Sequence, residues 1–101
     1  MARLLFAAAV AAALVWLPAD AVARCSKSVV LYNADWCPYC RQVRAILARH
    51  QIRYSIKDAT TARVQAEMLR RFGDTAVPRL LIGGAVVTGV DEPRIKQLCR
   101  G

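Results

Sequence analysis

Beyond its first two dozen residues the chain alternates short apolar runs with amphipathic stretches. SVVLYN (Ser28 to Asn33) is a compact, β-rich run without alternation, which predicts a strand buried on both faces. From Pro38 to His50, Val43, Ile46 and Leu47 recur on one side while Arg41, Arg44 and Arg49 fall mostly outside it, the pattern of a helix. IRYSIKD sets Ile52, Tyr54 and Ile56 against Arg53, Ser55 and Lys57, so a second strand is expected over Ile52 to Asp58. TTARVQAEMLRRFG reads as a helix, with Thr60 or Thr61 able to cap its start and Gly73 its end. In PRLLIGGAVVTG two apolar runs meet at Gly83-Gly84, a hairpin signal. DEPRIKQLC closes the pattern as a short helix with Pro93 at an early, tolerated position. The order β-α-β-α-β-β-α predicts an α/β fold. A right-handed parallel crossover comes first and an antiparallel hairpin follows, giving a four-stranded mixed sheet flanked by helices.

The N-terminal stretch has another pattern. Arg3 precedes an apolar run from Leu4 to Leu17, then Pro18 and the small-residue segment Ala19 to Ala23. That is the layout of a secretory signal peptide, with Ala21-Val22-Ala23 the best cleavage site and Ala19-Asp20-Ala21 the second. The apolar run has 14 residues, short of the roughly 20 that a membrane-crossing helix needs. Two units are therefore expected: a signal peptide over 1–23, cut before Arg24, and one domain over 24–101. The domain would be exported, to a bacterial periplasm. It would meet the membrane only transiently through the signal, or stay anchored there if the signal is not cut. Lipid attachment at Cys25 is not expected, because Arg24 stands where a small residue is needed.

The chain of 101 residues carries 15 Lys and Arg against 7 Asp and Glu, a net charge of +8. Removing 1–23 takes away one base and one acid, Arg3 and Asp20, and leaves the charge unchanged. The bases are scattered (Arg41, Arg44, Arg49, Arg53, Arg63, Arg70, Arg71) without interleaved aromatics, so no nucleic-acid partner is expected. Such a surface attracts anionic ligands or an anionic membrane, or is simply a basic soluble surface. A domain this small buries only roughly 60% of its unfolded surface and is marginal unless something staples it.

Two of the four cysteines lie in DWCPYC, at the predicted junction of the first strand and first helix. Ligand sites of α/β folds collect at this end of the parallel strands. A C-x-x-C beside a βαβ pattern is the redox signature of thioredoxin-like proteins. Cys37 would sit at the helix N-terminus, where free backbone N–H groups and the helix dipole favour a thiolate. Pro38 would occupy the first helical position, where its missing N–H is not needed. Cys40 falls on the stripe through Val43 and Leu47. Cys37 is thus expected to be the exposed, attacking sulfur and Cys40 the buried, resolving one. Zinc is a rival reading, yet Cys25, Cys99 and His50 are unpaired in sequence, and no metal site is expected. His50 lies about 20 Å along the helix from Cys37 and reads as a solvated residue at a helix C-terminus. A permanent Cys37–Cys40 bridge is the other alternative.

Three separated motifs resemble the glutaredoxin family, over essentially all of Ser28 to Leu98. WCPYC matches the dithiol active site. AVPRLLIGG is similar to the family's T-V-P segment, and TGVDE to its G-G-x-D turn. The resemblance implies a thioredoxin-like (glutaredoxin) fold and thiol–disulfide exchange with proteins, with glutathione, or with both. It implies no permanently bound cofactor and a monomer. Glutathione would be the co-substrate. Its cysteinyl part would pair with the Val77 backbone beside a cis Pro78, and its γ-glutamyl end would meet Val90 and Asp91 at a helix start that also suits a carboxylate. Tyr39 would line the groove and Gln65 would contact the glycyl carboxylate. Read without the resemblance, Gln65 is a solvated helix residue and Asp91 a helix cap. Trp36 reads as an apolar rim for docking partners or as ordinary packing.

Three positions depart from the family's pattern: Ala34 replaces a common lysine, Ala76 the T-V-P threonine, and Thr88 the first glycine of G-G-x-D. These bear on glutathione binding more than on dithiol chemistry. Arg41 and Arg63 are bases able to restore a positive charge. Three alternatives remain: a glutathione-independent thioredoxin-like reductase or oxidase, a glutathione-dependent iron–sulfur carrier, and a disulfide-stapled binding module. Given this topology, Cys25 before the first strand and Cys99 at the end of the last helix meet at the far end of the sheet. A structural Cys25–Cys99 disulfide is expected, in keeping with export.

Overall fold

The apolar run at Ser28 to Asn33 becomes the centre of the sheet. In the computed structural model, which describes residues 25–100, β1 (Val29–Asn33) pairs in parallel with β2 (Ser55–Asp58) and antiparallel with β3 (Arg79–Ile82). β3 turns through Gly83 into β4 (Ala85–Thr88), so the strand order is β2-β1-β3-β4. Gly83 has φ 61°, a left-handed conformation that side chains disfavour. Three helices complete the described residues: α1 (Pro38–Arg49), α2 (Ala62–Phe72) and α3 (Glu92–Arg100). Thr61 caps α2 through its side chain, and left-handed Gly73 ends it. The proposed signal peptide and its cleavage site lie outside the described residues.

Period-2 alternation divides the apolar residues between two faces. Val29, Leu31, Leu80, Ile82 and Val87 pack against Val43, Ile46 and Leu47 of α1 and Ile95 of α3. On the other face Tyr32 and Ala59 pack against Met68 of α2, with Val64, Phe72 and Leu81 around them. Tyr32 has no exposed surface, so its hydroxyl needs a partner inside the protein. It donates to Glu67 of α2, whose carboxylate also accepts from Lys57 Nζ at 2.7 Å. Burial and the Glu67 carboxylate push the Tyr32 hydroxyl up to about 12.

The structure corrects two expectations. β2 starts at Ser55 and not at Ile52. Ile52 is buried, but its N–H bonds back to the Leu47 carbonyl at 2.9 Å in the turn that ends α1, and the ladder with β1 begins only at Val30 and Ser55. Ile56, expected to face the core, is 51% exposed because β2 is an edge strand. His50 is more than a solvated residue. It caps the C-terminus of α1, and its Nε2 meets Glu92 at 2.6 Å while Arg49 meets the same carboxylate at 2.8 Å. Those two partners, His50 first, hold the Glu92 carboxyl below its ordinary range and tie the end of α1 to the start of α3.

Cys25 and Cys99 are bonded, with their Cα atoms 4.5 Å apart and the two residues 74 positions apart in sequence. The bond fixes the segment before β1 to the last turn of α3, where Lys27 Nζ also donates to the Leu98 carbonyl at 2.7 Å. Closing so long a loop restricts the unfolded chain by about 4 kcal/mol in the chain-entropy account. Replacing both Cys25 and Cys99 with Ser is therefore expected to lower unfolding stability by about 4 kcal/mol in denaturant titrations; coincident midpoints for variant and parent would contradict this.

Candidate active site

The site is built where β1 ends and α1 begins. After Asn33 the chain turns, and the Cys37 N–H donates to the Ala34 carbonyl at 3.1 Å. Cys37 is extended (φ −89°, ψ 114°) and is the N-cap of α1: its Sγ accepts the Cys40 N–H at 3.2 Å. The first N–H groups of a helix have no partner within it, so a sulfur here takes one of them. Pro38 at the helix start has no N–H to leave unpaired. Across from the helix the Val77–Pro78 peptide is cis, and the Cys37 thiol points at the Val77 carbonyl at 3.9 Å. Ala34, Cys37 and Cys40 form a small cluster against Val77.

Both thiols are free and both are buried, Cys37 at 3% exposure and Cys40 at 0%. An exposed Cys37 was expected. The sulfur is instead folded in between the helix start and Val77, held by the bonds just described. The two cysteines still differ chemically. Burial, and then the hydrogen bond to Cys37, push the Cys40 thiol up to about 11, so it keeps its proton at neutral pH. Arg44, which donates to the Asn33 side chain, works weakly in the opposite direction.

Beside Cys37 lies a groove of about 500 Å³. Ala34 and Trp36 line it from the loop after β1, Ala59, Thr60 and Gln65 from the start of α2, and Thr75, Ala76 and Val77 from the loop before β3. None of these side chains is charged. Two hollows of about 410 and 430 Å³ lie at the other end of α1 and along α3, beside Arg49, Lys96 and Arg100. Cavity size alone does not single out the site; the groove is marked by Ala34 and Val77 in its wall, which pack against the two free cysteines.

Of the residues expected to meet a ligand, Gln65 and Val77 line the groove. Gln65 Nε2 donates to the Ala59 carbonyl at 3.0 Å. Pro78 is buried, and its carbonyl accepts the Gly89 N–H at 3.0 Å, which brings the turn before Val90 and Asp91 alongside. Val90 is 41% exposed, and Asp91 caps α3 by accepting the Arg94 N–H at 3.1 Å. Tyr39, in the first turn of α1, and Trp36 before it are exposed. Tyr39, Val90 and Asp91 do not line the groove. Among the described residues no three His, Cys, Asp or Glu side chains come together as metal ligands. The sequence reading passed over Asp74 and Arg79, which flank the Val77 loop and bond to each other at 2.7 Å. The signal for them was present: Arg79 is a base at the head of an apolar strand.

The glutaredoxin family model matches residues 29–87. A glutaredoxin of Pseudomonas aeruginosa is 35% identical over 65 residues, covering 63% of this chain and 77% of that one. Among solved structures, a glutaredoxin of Archaeoglobus fulgidus superposes with a TM-score of 0.65 at 23% identity, over 75% of this chain and 89% of that one. A buckwheat glutaredoxin solved as a complex with glutathione superposes at 0.58 with 25% identity, over 78% of this chain and 74% of that one. The four-stranded mixed sheet with its three helices is thus the thioredoxin-like fold.

The Cys40 thiol near 11 has a direct consequence for labelling. When the reduced protein meets iodoacetamide at pH 7, peptide mass mapping should find Cys37 modified well ahead of Cys40, with Cys40 reacting as the pH approaches 11. Equal labelling of the two at pH 7 would contradict the assignment.

Proposed function

This chain belongs to the glutaredoxin family, and on that footing we propose that it is an exported thiol–disulfide oxidoreductase working through Cys37 and Cys40. The observation that carries the proposal is the helix cap: Cys37 Sγ holds the Cys40 N–H at 3.2 Å while both thiols are free. A thiolate formed there is stabilised by that N–H and by the helix dipole. It attacks one sulfur of a substrate disulfide. A Cys37–substrate S–S bond forms, the old S–S bond breaks, and its electron pair leaves with the other sulfur, which takes up a proton. Cys40 then loses its proton and attacks Cys37 Sγ, releasing the substrate's second thiol. The substrate gains two electrons, and the Cys37–Cys40 pair is oxidised to a disulfide. Burial first, and then the hydrogen bond with Cys37, raise the Cys40 thiol, and the part that comes from Cys37 changes once Cys37 is bound in the mixed disulfide. Two glutathione thiols can return the pair to the dithiol by the same exchange, leaving as glutathione disulfide.

Glutathione as co-substrate is supported by the family and by the glutathione complex of the buckwheat protein. On this reading its cysteinyl backbone lies along Val77 beside Pro78, its glycyl end reaches toward Gln65, and its γ-glutamyl end toward Val90 and Asp91, with Tyr39 at the edge. A second reading, exchange with protein disulfides without glutathione, is favoured by the uncharged groove wall and by Ala34 and Ala76 in it. Export, to a bacterial periplasm, is supported by the signal-peptide pattern of 1–23 and by the Cys25–Cys99 bond, which an oxidising compartment preserves.

Replacing Cys37 with Ser should abolish reduction of a glutathionylated peptide. Replacing Cys40 with Ser should let the reaction proceed to a Cys37–glutathione adduct, seen by mass spectrometry, while ending two-thiol reduction of protein disulfides. Full protein-disulfide reduction by the Cys40 variant would refute the resolving role, and activity surviving without Cys37 would refute the function.

A further inference from the structure

Arg79 is the residue on β3 that packing does not account for. Alternation sends Leu80 and Ile82 to the α1–α3 side and puts Arg79 and Leu81 on the α2 side. Arg79 is nonetheless 5% exposed, with its guanidinium 4.7 Å from the centre of the Phe72 ring. Nη1 donates to Asp74 Oδ1 at 2.7 Å, whereas Nε is the one buried side-chain nitrogen or oxygen among the described residues that has no partner. Burying a guanidinium with an unpaired N–H is costly, and an apolar side chain of similar volume commonly stabilises such a position as well or better. Stability alone therefore does not explain an arginine here.

Its partner indicates what it does. The Asp74 side chain is 58% exposed, and the same Oδ1 that meets Arg79 also accepts the Ala76 N–H at 3.1 Å. These two bonds draw the Asp74 carboxylate below its ordinary range, Arg79 foremost. One carboxylate oxygen thus closes the loop between Gly73, which ends α2, and Pro78, which precedes Arg79. The segment held in this way carries the groove wall at Thr75, Ala76 and Val77, and the Val77 carbonyl that faces Cys37 Sγ at 3.9 Å.

We propose that Asp74 and Arg79 form a positioning clasp for the substrate-pairing backbone at Val77; the inference rests on the dithiol reading above. Asp74 and Arg79 touch neither thiol. They act by fixing where Val77 presents its main chain, and so where a mixed disulfide comes to rest against Cys37. A backbone that is not held in place must be ordered when substrate binds, at a cost in affinity, which makes rigid placement of this loop worth an awkwardly buried arginine.

The test uses a glutathionylated cysteine peptide with glutathione as reductant, at temperatures well below each variant's Tm. Asp74→Ala should raise KM about fivefold or more while kcat and the rate of Cys37 carbamidomethylation by iodoacetamide stay near the parent's. Asp74→Asn, whose amide oxygen can accept the same two bonds, should restore KM. The double variant Asp74→Ala with Arg79→Met leaves no unpaired charge and should match Asp74→Ala in KM with Tm at or above that of the single variant. An unchanged KM in Asp74→Ala, or a loss that Asn does not rescue, would overturn the clasp. So would equal losses in kcat and Cys37 labelling that follow Tm, since those mark a merely structural role. Turnover that survives Cys37→Ser would instead bring down the dithiol reading and the clasp with it, so the two failures are told apart.

Discussion

The site depends on one hydrogen bond, the Cys40 N–H donated to Cys37 Sγ at the start of α1. It serves the helix by satisfying an N–H that has no partner within the helix, and it serves the proposed chemistry by placing a donor on the sulfur proposed to attack. Everything around it fixes this geometry. β1, paired on both edges, delivers the chain to Ala34; the Cys37 N–H bonds back to that residue; Pro38 starts the helix without wasting a donor; and Val43 and Leu47 lock α1 onto the sheet. The opposite wall is the Val77 loop, held by β3 behind it and by Asp74 at its side.

The four cysteines divide into two pairs with different work. Cys37 begins α1, whereas Cys99 lines a hollow with Arg49, His50 and Ile52, where α1 has ended. A helix of 12 residues is about 18 Å long, so the pairs are too far apart to exchange directly within the folded domain. The far pair closes almost the whole domain and supplies stability that so small a core lacks. The near pair can then change redox state without the fold depending on it. The staple is thus kept apart from the pair proposed to do the chemistry, in a domain with few residues to spare.

Periodicity made most of the fold legible. The seven elements of the described residues follow from apolar spacing and turn residues, because all but β2 have a buried face. Where burial is incomplete, the pattern misleads. Ile56 continues a regular alternation but lies on an edge strand, and Ile52 is buried by the turn after α1 and not by a ladder. The thiols were legible as a pair from CPYC. The burial of Cys37 was not, since it depends on Val77, 40 positions later. Arg79 stood out as a base at the head of an apolar strand, but its pairing with Asp74, like that of His50 with Glu92, was out of reach. In both, a charged residue looks like ordinary surface until tertiary contact supplies its partner.

The central claim is that Cys37 and Cys40 are a reversible two-electron couple while Cys25 and Cys99 are not. Equilibrating the protein in buffers of varied reduced and oxidised glutathione, then quenching with acid and mapping disulfides by mass, tests this directly. The account predicts one cooperative transition in which the Cys37–Cys40 peptide passes from dithiol to disulfide while the Cys25–Cys99 link stays intact throughout. A Cys37–Cys40 pair that does not interconvert, or a Cys25–Cys99 bond that opens first, would contradict it.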